Sequence, residues 1–121
     1  HGRGVIDVLP EVLAAVRGRA RVIVDGSYCR GTDLVKAIAL GADAVAIGRL
    51  YCYALAADAE AGVIKMLELL EHEMGVAMAL SGARSLGELN PSYLYRDAPS
   101  VAAPHVHSAF PLLFPTPESP R

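Results

Sequence analysis

Long apolar runs are missing from this chain. Nowhere do its 121 residues hold the roughly 18 consecutive apolar positions that a membrane span needs. Residues 1–20 lack the charged-then-apolar order of a signal peptide. Charge of one sign is scarce as well. Eleven basic and thirteen acidic residues leave a formal net charge of −2, which excludes a partner recruited by bulk charge, nucleic acid above all. Cysteine is limited to Cys29 and Cys52, too few for a disulfide framework, so a reducing, cytoplasmic setting is expected. The chain opens on His1 rather than methionine, as expected of a fragment, a processed product or a trimmed chain.

What remains is an ordinary globular composition, 53% hydrophobic and 20% charged, enough for one core. In "IDVLPEVLAAVRGR" the apolar positions Val8, Leu9, Val12, Leu13 and Val16 have helical spacing. Pro10 is best tolerated in a first turn, which predicts a start near Asp7 or Val8 and a stop at Gly18. "ARVIVDG" reads as a short buried strand and "GTDLVKAIALG" as a helix capped by Thr32 and Gly41. "ADAVAIG" reads as a second strand. Tyr51 to Leu80 is helical with a break near Asp58, and Val63, Ile64, Met66, Leu67, Leu70 and Met74 form its apolar face. Ser85 and Glu88 fit a capping box ahead of Pro91. After Pro91 prolines dominate, so residues 91–121 are expected as a tail and 1–90 as the folded portion.

Helix, strand, helix, strand, helix is the alternation that builds a parallel sheet. Continuously apolar strands predict that both sheet faces are covered, as in a barrel or a doubly wound sheet. Two strands close nothing, so the pattern reads as the final part of a larger α/β domain. In such folds ligands sit at the carboxyl ends of strands, here Asp25-Gly26-Ser27 and Gly48-Arg49. Glycine permits close backbone approach, a helix N-terminus follows each turn, and Arg30 and Arg49 add forked donors. A phosphate held between two adjacent strand ends is the consistent reading. Mere turn geometry is the plain alternative.

"VIVDGSYCRGTDLVKAIALGADAVAIGRL" closely resembles the flavin-phosphate segment of the FMN-dependent α-hydroxy-acid oxidase and dehydrogenase family. "HGRG…IDVLPEV", "GARSLGELNPSYL" and "HVHSAFPLL" are similar to that family's flanking segments. The resemblance implies FMN as cofactor, a small 2-hydroxy acid as substrate, and the last βα units of a (β/α)8 TIM barrel. It also implies a homo-oligomer when the barrel is complete. By position, His1 matches the general base and Arg3 the arginine that grips the substrate carboxylate. Asp25, Gly26, Ser27, Cys29 and Arg30 match the first phosphate turn; Gly48 and Arg49 match the second.

Four departures stand beside these matches. Arg3 arrives one residue early, Ser27 replaces a glycine, Cys29 stands where the family has its phosphate-binding arginine, and Leu50 replaces a proline. They keep open a non-catalytic, truncated relative of the family. Part of another FMN- or phosphate-binding barrel, of the type 2 isopentenyl-diphosphate isomerase kind, is a further alternative. Since the family's other flavin contacts lie in absent strands, this chain alone is expected to be inactive. His105 and His107 lack a third metal ligand, His72 reads as solvated, and Met66, Met74 and Met78 read as core.

Overall fold

A computed structural model describes residues 3–95. Its elements run α1 (Val5–Val16), β1 (Ile23–Asp25), α2 (Gly31–Leu40), β2 (Ala44–Ala46) and α3 (Arg49–Ser81), followed by 3-10 turns at Leu86–Glu88 and Pro91–Tyr93. The two strands pair in parallel, with Ile23 opposite Ala44, Val24 opposite Val45 and Asp25 opposite Ala46. The α/β alternation expected from sequence is therefore present. His1 and the histidine pair His105 and His107 lie outside the described residues, as does the tail beyond Tyr95.

The helix α1 begins earlier than its proline suggests. The Gly4 carbonyl accepts from Asp7 N at 3.0 Å and Val8 N at 3.3 Å, which places Val5 at the first helical position and Pro10 five residues further in. The proline lacks the donor that would have served Ile6. Arg17, in a left-handed conformation with φ 52°, ends the helix one residue before Gly18.

In α2 the cap is Arg30, not Thr32. The carboxylate of Asp33 reaches back to Arg30 N at 3.1 Å and Cys29 N at 3.3 Å, which anchors the first turn two residues ahead of Thr32. Gly41 does end this helix, at φ 112°. The Ser85 capping box fails as well: Glu88 turns to Arg84 N, at 2.9 Å, and Ser85 makes no side-chain cap bond.

Most of the core lies on one side of the sheet. Leu9 from α1, Val24 from β1, Leu34 and Ala37 from α2, and Met66 and Leu70 from α3 form one buried cluster around Tyr28. Burying side chains such as Met66 and Leu70 contributes about 1.5–3 kcal/mol each. Val35, Ala39, Ala83 and Leu89 form a second cluster that ties the 3-10 turns to α2. The opposite face of the sheet is bare. Ile23 is 66% exposed while its neighbour Val24 is 4% exposed, so the expectation that both faces are covered fails among the described residues. Ile64 and Leu67, expected on the apolar face of α3, are about half exposed for the same reason: no described element packs on that side.

The break in α3 falls where the sequence placed it. Asp58 and Ala59 have non-helical backbone angles, dividing the helix into a short arm, 49–57, and a long arm, 60–81. Gly62 makes the return possible. A Cβ there would collide with the Ala54 carbonyl oxygen of the short arm.

Candidate functional site

Both expected turns follow the carboxyl ends of the paired strands, so Asp25-Gly26-Ser27 and Gly48-Arg49 lie side by side. Tyr28 fixes the first turn from below. The residue is buried in the main cluster, 7% exposed, and its hydroxyl has no partner among the described residues. Burial, then the negative charges of Asp33 and Asp25, push that phenol above its ordinary range. Nothing in the sequence pattern marked Tyr28 beyond its place in the turn.

Gly26 is favoured by packing. A Cβ there would meet Val5 Cβ at 3.0 Å and Cγ2 at 3.1 Å, so this glycine lets the head of α1 sit against the turn. Ser27 follows in a left-handed conformation, φ 57°. Its hydroxyl accepts from Arg49 Nη2, 22 residues away, joining the two turns directly. Arg49 is the first residue of α3, whose N-cap Gly48 supplies no side-chain bond. A Cβ on Gly48 would meet nothing within 4 Å. The head of α3 thus presents a helix N-terminus, a guanidinium and a hydroxyl to open space.

The first turn then divides. Arg30 faces the long arm of α3 rather than Arg49 at its head. Arg30 Nη2 lies 2.8 Å from Glu73 Oε1, and its Nε donates to Glu73 Oε2 at 3.1 Å. Gly31 N donates to that same oxygen at 2.7 Å. Cys29 lines a cleft of about 510 Å³ between the arms of α3, together with Leu50, Tyr53 and Glu73. The donors at the head of α2 are therefore taken by Asp33 and Glu73. Arg3 is occupied too, donating to the Asp7 carbonyl at 3.0 Å and pairing with Glu11 at 2.7 Å. It lines a separate cleft of about 520 Å³ with Gly26, Ser27, Tyr28 and Lys36. Among the described residues no group of three or more His, Cys, Asp or Glu could hold a metal ion, and no helix is long and apolar enough to cross a membrane.

Glu73 was missed by sequence reading because its partners lie 42 and 43 positions away. The Arg30 hydrogen bond, then the Gly31 N–H, hold its carboxyl below the ordinary value of 4.5. A depressed carboxylate adds stability that is present above its unfolded pKa and lost as pH falls through the folded one. Urea midpoints of the parent should fall as pH drops below about 4.5, the ordinary glutamate range. Those of Glu73→Gln should fall less steeply there. Parallel profiles would show that the α2–α3 clamp carries no pH dependence.

Residues 1–96 match the FMN-dependent dehydrogenase family. The chain belongs to that family. It is 48% identical over 90 residues to an L-lactate oxidase from Nostoc sp., a match covering 74% of this chain and 25% of the relative. It is 47% identical over 104 residues to glycolate oxidase 3 of Arabidopsis thaliana, covering 80% of this chain and 28% of that protein. The fold superposes on an (S)-mandelate dehydrogenase with TM-score 0.70 and 39% identity, covering 74% of this chain and 25% of that one. A mandelate oxidase carrying a monooxide FMN adduct gives TM-score 0.65 at 49% identity, covering 68% of this chain and 26% of that one. The chain spans about a quarter of the length of these relatives. FMN is the cofactor of the family, and the relatives named above act on hydroxy acids.

Proposed function

We propose that this chain supplies the last βα units of a (β/α)8 barrel in an FMN-dependent oxidoreductase. The complete protein oxidises an (S)-2-hydroxy acid to a 2-oxo acid. The observation that carries this reading is the Ser27–Arg49 bond across two adjacent strand ends, at the uncapped head of α3. Those groups suit the phosphate of a flavin mononucleotide. The guanidinium offers forked donors, the helix N-terminus adds partial positive charge, and the bare Cα of Gly48 leaves room for close approach. Bound FMN supplies the acceptor for the substrate's hydride.

The chain's own residues divide the remaining work. His1 takes the substrate's proton, a role suited to a side chain with an ordinary pKa near 6.5. Gly26, Ser27, Gly48 and Arg49 orient the phosphate, while Asp25 ends β1 beside them. Arg30 braces α2 against α3 through Glu73 and is not counted among the phosphate ligands. Arg3 pairs with Glu11 on an exposed surface. Such pairs are worth little, so Glu11 does not bar a substrate carboxylate, but this geometry gives that role no support.

The loss of one cation at Cys29 favours a second reading, a relative of the family that binds flavin weakly and does no chemistry. Titration of FMN fluorescence against riboflavin, which lacks the phosphate, tests the first reading. The chain should prefer FMN, and Cys29→Arg should tighten FMN roughly tenfold, the worth of one charge-assisted hydrogen bond. Equal affinity for the two flavins in both proteins would dismiss the phosphate site.

A further inference from the structure

We infer that Ser27 is a positioning residue: its hydroxyl holds the Arg49 guanidinium in place at the head of α3. The inference rests on the phosphate reading above and goes beyond it, because the resembled family has glycine at this position. Three observations converge. Ser27 occupies a backbone region, φ 57°, that glycine adopts freely and other residues rarely do. At that strained position it accepts a hydrogen bond from Arg49 Nη2, joining the β1 turn to the β2 turn. And this arginine stands without a helper, since Cys29 replaces one guanidinium and Glu73 engages the other, that of Arg30.

The chemistry follows from the donor inventory. A guanidinium carries five N–H donors, and Ser27 uses one of them. The remaining donors stay available to an anion. The Ser27 O–H is itself a donor at the same opening, so a phosphate oxygen there meets arginine, serine and helix N–H groups together. Arginine loses considerable side-chain freedom when it binds; fixing it beforehand removes part of that cost from the binding step. With no second guanidinium supplied by the first turn, its orientation decides more than it would in a pair.

The test uses the full chain and the variant Ser27→Gly, which removes the hydroxyl while relieving the backbone strain, so the variant folds at least as well as its parent. Two readouts are compared. The first is affinity for FMN and for riboflavin. Ser27→Gly should weaken FMN roughly tenfold and leave riboflavin unchanged. The second needs no flavin: hydrogen exchange at the Arg49 Nη–H groups by low-temperature NMR, which should quicken roughly tenfold in the variant when the Nη2 bond to Ser27 is lost. Unchanged exchange at Arg49 overturns the inference whatever the flavin data say. Unchanged FMN affinity in a chain that prefers FMN also overturns it. If the parent shows no preference for FMN, the phosphate reading falls alone, and the exchange rate still decides whether Ser27 holds Arg49.

Discussion

Replacing Gly31 with alanine is expected to destabilise the chain by about 3 kcal/mol or more. A Cβ at this position would lie 2.5 Å from Glu73 Cβ, 2.5 Å from Met74 N and 2.6 Å from Leu70 O. Two of those three atoms belong to the backbone of α3, which cannot step aside as a side-chain tip would. Overpacking of this kind ordinarily costs about 1–3 kcal/mol, and a backbone collision belongs at the upper end. The same push would separate Gly31 N from Glu73, now 2.7 Å apart, and leave a polar group without its partner. Urea denaturation followed by circular dichroism measures the effect. A shift worth less than about 0.5 kcal/mol, the range of an ordinary surface substitution, would mean that α2 and α3 do not approach this closely.

Arg49→Met should abolish most of the preference for FMN over riboflavin, weakening FMN roughly ten- to a hundredfold. The substitution retains the length of the aliphatic stem and removes every donor at once, from Ser27 and from the phosphate alike. Arg30→Met serves as the contrast. Because that guanidinium is bonded to Glu73 and faces α3, its loss should lower stability and leave the ratio of FMN to riboflavin affinity intact. If instead Arg30→Met removes the preference and Arg49→Met does not, the phosphate lies at the head of α2, and the assignment made from the Ser27–Arg49 bond is wrong.

Local features of the fold were legible because local residues encode them. Gly41 ends α2 because glycine accepts φ 112° at no cost, and the helical period across residues 51–80 fails at Asp58, where the backbone indeed leaves the helix. Features set by distant contacts were not legible. Asp43 is exposed, and nothing in its local sequence marks that its carboxylate accepts from Val22 N at 2.7 Å and Arg21 Nη1 at 2.7 Å, bridging the starts of both strands. Glu73 sits in a charged stretch that resembles any solvated helix face. Its role appears only when α3 folds back onto α2. The candidate site shows the same division: Gly26, Ser27, Gly48 and Arg49 could be named from two turns and a resemblance. That Arg30 would be drawn to Glu73, and Arg49 to Ser27, depended on side-chain geometry that spacing does not encode.

The bare sheet face sets terms for whatever completes it. Strand alternation puts Ile23 and Asp25 on that face, and register places Ala44 and Ala46 opposite them. Half of this surface is therefore built from methyl groups, which makes the β2 side shallow and the β1 side raised. A complementary layer must bring bulk toward β2 and yield ground toward Ile23, as when large and small side chains alternate across facing layers. It must also leave a polar exit beside Asp25, because a carboxylate sealed under apolar groups would forfeit its hydration. The unfilled face thus works as a template: it specifies where its counterpart is thick, where it is thin, and at which end water stays.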